Sequence, residues 1–599
     1  MAEAIDEPID LYTKQFKDKF RENCEQYFDE LCKKANVSVD QNKQLVKTYE
    51  SKLNDQKLLE KKRSKVNTIK ALLIVLLVLC IIGVVFSFVY LISVSKAAGI
   101  VVGILCAIGI VVSLLVYLNI RKKNANLDSE VSNAQGKTKE ALNACWNQMA
   151  ALNSEYDWNI PSDLMEKTTP LIDLDHEFDV KKFQYLHEKY GFEDSNDPKV
   201  STNYVISGNI YGNPFVLINS FNTEMRDKTY SGSITIHWTT TTRDSKGNTQ
   251  TQHHSQTLVA TVTKKAPSYW YDTRLVYGNE AAPDLSFTRK PTVKKDMDEK
   301  DILKLEKSTE KELASLAEKA ISKGKTFTPL SNSRFEGMFH AYDRDNEQQF
   351  RLLFTPLAQN NMCKLLMKSP YGDDFYFYKY KKLNYIFSNH SQTQNYKISP
   401  SQFAHYDIEK AKTNFINVNT NFFQGLYFDL APLLSIPLYQ QTKTHEYIYN
   451  IPYEAFHTKY EQEAMANKFN KNLLVHPESK TDAILKCNLV KKEKDADLVS
   501  ITAYTYKTIK HVEVVTKLGG DGKLHNIPVE WLEYIPLERT SQMELANVDS
   551  SEKKYSSNYA NLVNKNCVYE RGLISALCQA NGSSGIQDII NKIKKVEEK

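Results

Sequence analysis

ALLIVLLVLCIIGVVFSFVYLISV, residues 71–94, and AGIVVGILCAIGIVVSLLVYLN, residues 98–119, decide the architecture: 24 and 22 residues without a charged side chain. At about 1.5 Å per residue, each run is long enough to cross a hydrocarbon core of about 30 Å. A buried core helix accounts poorly for two adjacent runs of this length. Only Ser95, Lys96 and Ala97 separate them, so the spans must run antiparallel with both ends on one side. Charge chooses the side. Lys57, Lys61, Lys62, Arg63, Lys65 and Lys70 precede the first span and Arg121, Lys122 and Lys123 follow the second, against the single Lys96 in the loop. That asymmetry predicts a two-pass protein of the cell membrane with both termini cytoplasmic.

The chain begins MAEAIDEPID and its first apolar run starts only at residue 71, which argues against a cleaved signal peptide. Leu77-Val78-Leu79-Cys80 imitates a lipoprotein cleavage box, but Leu79 stands where a small residue is needed. Gly99, Gly103 and Ala107 form a small-residue series expected to pack on the first span, with dimerisation as the alternative. Neither span carries a charged or amide side chain between residues 71 and 118, so an anchor is expected rather than an ion path.

Outside the membrane the chain reads as α+β. Phe16, Phe20, Cys24, Tyr27 and Leu31 recur at helical spacing before the spans, and Leu127, Val131, Ala134, Leu142, Cys145, Met149 and Leu152 do so after them. The two segments are expected to extend the hairpin as a coiled-coil-like stalk, each stripe packing on its own chain or on a partner helix. A helix is expected at 177–190. Strand-like runs follow in YVISGNIYGNPFVLIN, SGSITIHWTTTT and QTLVATVT, with Asp244 to Asn248 as a turn. The charged block after residue 290 places Ile302, Leu305, Leu313, Leu316 and Ala320 on one helical face. The expected organisation is an amphipathic helical segment at 1–70, the hairpin at 71–119, a helical stalk at 120–165 and an antiparallel β-rich domain at 200–290. A surface helix at 291–325 and α+β regions at 326–430 and 440–599 complete it. The last of these carries a helical stretch at 453–474, strands in DAILKCNLV and LVSITAYTYKTI, and a helical end in IINKIKKVEEK.

Composition limits function. The 599 residues carry 77 basic and 72 acidic side chains, a net charge of +5, which gives no reason to expect nucleic acid as partner. Nine scattered cysteines without a C-x-x-C pair read as free thiols. With 34 Tyr and 26 Phe beside 21 Gly and 18 Pro, the chain is expected to be mostly folded.

The motifs that would carry chemistry fail on inspection. Gly136-Lys137-Thr138 and Gly324-Lys325-Thr326 lack the upstream glycine of a phosphate loop, having Val131 and Lys319 in its place, so no nucleotide is expected. His176-Glu177, His187-Glu188 and His445-Glu446 lack the second histidine of a zinc protease. Asp343 to Glu347 imitates a calcium loop, but Gln348 replaces the turn glycine, and a polar turn is expected. His237 and His253 can share a ribbon face without a placed third ligand, so no metal site is assigned. Tyr376 to Lys382 mixes aromatics with cations as a single-strand binder does, though strand alternation explains it more cheaply. No nucleophile elbow appears. Catalytic, cofactor and metal residues are therefore expected to be none.

GNIYGNPF at 208–215, Gly232 to Trp238, His253 to Thr263 and YGNEAAP at 277–283 together resemble an uncharacterised family of two-span membrane proteins from mollicutes. RFEGMFHAYDRDNEQQFRLLFTPL, residues 334–357, is similar to a bacterial domain of unknown function that follows paired membrane spans. The resemblance extends over roughly residues 60–390 and implies the architecture without implying an activity or a site residue. The leading expectation is a non-enzymatic scaffold or sensor acting through protein contacts or self-association, anchored in the lipid bilayer. The alternative is a membrane-bound hydrolase with a site assembled from distant residues, and transport by oligomers is disfavoured by the uncharged spans.

Overall fold

The computed structural model describes residues 5–87, 96–176, 180–193, 197–243, 249–293, 297–324, 327–367, 371–388, 392, 396–441, 457–492, 496–547, 567–578 and 586. The architecture is α+β, with two long apolar helices and antiparallel sheets. The chain divides into two compact units.

One unit holds residues 25–156 and 400–416. It contains the end of helix α1 (Lys17–Lys34) and the antiparallel pair α2 (Val39–Phe86) and α3 (Lys96–Asn153). Ser38 starts α2 by accepting from the Gln41 backbone N–H, which satisfies one of the donors a helix start leaves open. Among the described residues these are the two helices long and apolar enough to cross a membrane, and side chains such as Leu72, Leu79, Leu105 and Leu115 are exposed. In water that surface would be prohibitive; in lipid it is the ordinary exterior of a span.

Away from the apolar half, the pair is laced by polar contacts. Asn42 Nδ2 donates to Gln148 Oε1 at 2.8 Å, Gln135 to Glu60 at 3.0 Å, and Arg63 pairs with Asp128 at 2.5 Å. Val131, Cys145, Met149 and Leu152 form the buried stripe, joined by Val46, Phe28 and Leu31. Tyr27 is only half-buried and Phe28 takes the core position, because at 3.6 residues per turn the stripe drifts past a strict four-residue step.

Inside the apolar half the seam is built from glycines and thiols. A Cβ on Gly83 would lie 2.8 Å from Cys106 Sγ, one on Gly109 3.1 Å from Cys80 Sγ, and one on Gly103 3.2 Å from Ser87 Oγ. The small residue Gly103 thus faces the first span of the same chain. LCIIGVV at 79–85 and LCAIGIV at 105–111 are near copies. Antiparallel pairing sets each cysteine into the notch over the other copy's glycine.

The other unit holds residues 1–24, 157–399 and 417–599. After α4 (Ile160–Thr168), strand β1 (Ile172–Leu174) and α5 (Val180–Tyr190), the strands β2 (Val200–Ile210), β3 (Asn213–Arg243) and β4 (Thr249–Gly278) follow. Strand β5 (Ser286–Arg289) precedes helix α6 (Glu299–Ser322), which buries Ile302, Leu313 and Ala320 as its stripe requires. Three short helices, α7 (Ser333–Phe339), α8 (Glu347–Leu353) and α9 (Pro356–Leu366), lead to the hairpin β6 (Tyr376–Tyr380) and β7 (Leu383–Phe387). These strands make one antiparallel sheet in the order β1-β2-β3-β4-β7-β6-β5.

Helix α10 (Ile408–Leu434) was not foreseen; in this unit its second half stacks Phe423 on Phe20 at 4.1 Å. Helix α11 (Lys459–Ala466) and a single turn, α12 (Lys471–Leu474), then precede the second sheet. It is formed by β8 (Ile484–Lys492), β9 (Asp497–Leu518), β10 (Leu524–Asn547), β11 (Cys567–Glu570) and β12 (Leu573–Leu577) in the order β11-β12-β10-β9-β8. The turn expected at 244–248, and the helical end expected at 589–599, lie outside the described residues.

Two strand pairs outrun their sheets. Beyond Asn222, β3 leaves β2 and continues with β4 alone to Arg243, a two-stranded ribbon about 70 Å long at about 3.3 Å per residue. The separate runs read from sequence are therefore one strand; charged residues 224–228 stay in register because the ladder to β4 is unbroken. β9 and β10 form a second, shorter ribbon. The two pack through Ile236, Leu258, Ala260 and Val262 on one and Ile527 and Val529 on the other. Gly232, opposite Ala260, makes the crossing possible: a Cβ there would overlap the Pro528 carbonyl. The outward face is a ladder of hydroxyls, including Thr235 and Thr257 at 3.1 Å.

Candidate functional site

The strongest surface feature grows out of strand alternation in β6 and β7. Successive side chains leave opposite faces, so Tyr376, Tyr378 and Tyr380 share one face while Phe377 and Lys379 share the other. The hairpin turns at Lys381, whose φ of 54° is the left-handed conformation a tight turn needs. Register then sets Phe387 opposite Tyr376 and Tyr385 opposite Tyr378. The rings form two rows: Tyr378 and Tyr385 stack at 5.8 Å, Tyr378 and Tyr380 at 6.4 Å, and Tyr376 meets Phe387 edge-on at 5.6 Å.

These aromatics remain half-exposed because their cover stops short. Phe183, Leu186, Tyr190 and Phe192, on and just after α5, pack on Val276 and Leu383, but the chain leaves the helix at Gly191. Beyond it lies a groove of about 720 Å³ lined by Gly191, Glu193, Arg274, the four tyrosines and Phe387. Arg274 donates to Tyr460 Oη at 3.2 Å, and its buried Nε has no partner among the described residues. Burial raises the hydroxyl pKa of Tyr376, Tyr378 and Tyr385 above the usual range, with Arg274 pulling Tyr385 partly back. The phenols therefore stay protonated at neutral pH and are available as donors.

The opposite face of the same strands is closed. Lys379 is buried and donates to the carbonyls of Ala281 and Lys381, and desolvation lowers its pKa to about 7. At the outer edge of the sheet, Asp343 and Asp345 accept from the β5 backbone N–H groups of Thr288 and Ser286 at 2.8 and 2.6 Å. Between them Arg344 lies over the rings of Phe327 and Phe350, paired with Glu336 and Glu347. The calcium-loop look-alike is thus a polar turn whose carboxylates occupy an edge strand's open donors.

The remaining sequence candidates separate. His237 pairs in register with Ser255 and Thr239 with His253, so the two histidines share a ribbon face one pair apart. Among the described residues no three His, Cys, Asp or Glu side chains are grouped as a metal site requires. His254 lies on the other face, bonded to Thr240 at 2.7 Å and stacked on Trp238. Gly136 to Thr138 lies within α3, where Thr138 donates to Ala134 and Lys52 carbonyls; Lys325 and Thr326 fall outside the described residues, as do His445 and Glu446. His187 bonds the Phe192 carbonyl at 2.7 Å. A second cavity, about 700 Å³ between α1 and α2, includes Cys32 and Lys33, but its Lys43 and Lys412 are paired with Glu409 and Asp29.

Sequence reading missed the groove's meaning; it placed a helical stretch at 453–474, which contains α11, but did not show that this helix is interior. Tyr460, Glu461, Gln462, Glu463, Ala464, Met465 and Ala466 are all buried there. Glu463 pairs with Lys486 at 2.5 Å and accepts from the Thr202 N–H at 2.8 Å, bridging the two sheets. His457, just before the helix, has Nδ1 at 2.6 Å from Asp497 and Nε2 at 3.1 Å from Asn547. No family model matches the chain, and no curated protein or solved structure matches it.

Proposed function

We propose that the protein is a membrane-anchored scaffold or sensor of the cell membrane, with both termini cytoplasmic, that acts through protein contacts. The observation that carries this reading is the aromatic groove: five half-exposed rings, protonated hydroxyl donors and one guanidinium on a rigid sheet face. Such a surface suits recognition. Both ring nitrogens of His457 are engaged, which supports a structural role for that buried pair and speaks against a hydrolase centred on it. The cation excess beside the spans supports the cytoplasmic placement.

A photo-crosslinking residue at Tyr380, half-exposed at the groove's rim, tests the reading in intact cells. A discrete crosslinked species containing a second protein or a second copy is expected, and its absence, with the same residue placed at Tyr376 as well, overturns the proposal. Sidedness is read separately with a membrane-impermeant maleimide. Cys363, Cys487 and Cys567 are buried and burial raises their thiol pKa, so the partly exposed Cys578 is the reporter. Labelling of Cys578 only after permeabilisation is expected; labelling in intact cells reverses the topology.

A further inference from the structure

We infer that the groove over β6 and β7 takes an extended, proline-rich peptide carrying an acidic side chain, an inference that rests on the protein-contact reading above. The groove lies on a sheet face, and β6 is paired on both sides, with β5 and with β7. Addition of a peptide as a further strand is therefore closed to it, and the side chains must do the binding.

Those side chains match one backbone conformation. A polyproline II segment has no internal hydrogen bonds, so its carbonyls are all open to donors, and its pyrrolidine rings present flat apolar faces. The groove offers the complement: ring faces in two rows about 6 Å apart, and the hydroxyls of Tyr376, Tyr378, Tyr380 and Tyr385, which no described group accepts from. Being preformed, such a peptide loses little conformational freedom on docking, which suits a shallow open surface. Arg274 supplies the one cation of the lining, the group that an acidic side chain of the peptide would meet. Sugars also stack on tyrosine. They are the competing occupant that the test separates from the peptide.

The test uses the full chain in detergent micelles and a fluorescent decaproline with two C-terminal glutamates, followed by anisotropy. Binding is expected to weaken about tenfold for Tyr378→Ala or Tyr385→Ala and by a smaller factor for Tyr378→Phe, which keeps the ring and loses the donor. Arg274→Met is expected to abolish the preference over decaproline without the glutamates. Phenylalanine variants guard against a loss that merely reports unfolding. Equal binding of a Gly/Ser decamer, no response to the tyrosine changes, or displacement by a malto-oligosaccharide instead of by unlabelled peptide overturns the inference. A crosslink at Tyr380 in cells without decaproline binding sinks this peptide class and leaves the contact reading standing; no crosslink sinks both.

Discussion

The two sheets meet twice, and the two meetings are made of opposite materials. Between the ribbons the centre of the contact is dry: Ile236, Leu258 and Val262 against Ile527 and Val529, with Gly232 and Ala260 leaving room for the Pro528 backbone. Polar contacts such as Lys264 to Glu513 at 2.8 Å and the Gly520 N–H to Gln256 at 2.7 Å lie around it. Around α11 the contact is polar to its centre, with Glu463 and Lys486 buried together, Lys486 donating to the Val200 carbonyl at 2.9 Å and Asn467 reaching Ser201 at 2.7 Å. The dry joint depends on shape and degrades by degrees. The charged joint depends on completeness, because a buried charge without its partner costs more than the pair contributes.

Single changes separate the two regimes. Glu463→Ala leaves Lys486 buried and unpaired and is expected to lower stability by about 3–5 kcal/mol, whereas Glu463→Met with Lys486→Met restores most of it. Thermal midpoints of the full chain in micelles decide; similar midpoints for single and double variants would dissolve the contrast. Gly232→Ala, at the dry crossing, meets backbone that cannot move aside and is expected to cost about 2 kcal/mol. If hydrogen exchange at Val529 and Ala260 is unchanged, the ribbons do not depend on that notch.

Lys379 gives a third, pH-dependent case, in which burial outweighs the pull of the Asp345 carboxylate. Its folded pKa of about 7 lies below the ordinary lysine value of 10.5. Between those values the unfolded chain holds the extra proton, so this residue's contribution to stability rises with pH from 7 upward and is lowest, and constant, below 7. Lys379→Met is expected to stabilise at pH 7 and to remove a slope of about 1 kcal/mol per pH unit between pH 7 and 9. Parallel curves for variant and parent would show the amine to be solvated. The smallest effect is expected at the outer ribbon face, where Thr235→Ala breaks an exposed hydroxyl pair and should change stability by less than about 0.5 kcal/mol.

Which of these features could be read from the sequence follows from what hides each. The spans, the flanking helical stripes, α6 and the β3–β4 hairpin are legible because one side chain period dominates each stretch. The helix α11 falls within the helical stretch read at 453–474, but its burial is not legible: KYEQEAMA looks like surface, and only the presence of Lys486 and Thr202 on other strands makes Glu463 an interior residue. β10 hides for the related reason that Pro528 and Pro536 argue against a strand, while its pairing with β9 runs straight through both. The groove residues were visible as an aromatic–cation run, and their alternation was read correctly. That a helix would end at Gly191 and leave bare a face formed by chain nearly two hundred residues away is something periodicity cannot report.

The helix α2 runs from Val39, while its apolar run begins at Ala71, so about 48 Å of continuous helix separates its start from the lipid boundary. A membrane's surface potential decays over about 8 Å at physiological ionic strength. With the apolar run in a bilayer, Lys65, Lys70 and Arg121, at the near end, would feel a change in anionic lipid content. The far end, some six screening lengths along the helix, would then be shielded from it, which would make this stretch an electrostatic insulator as much as a spacer.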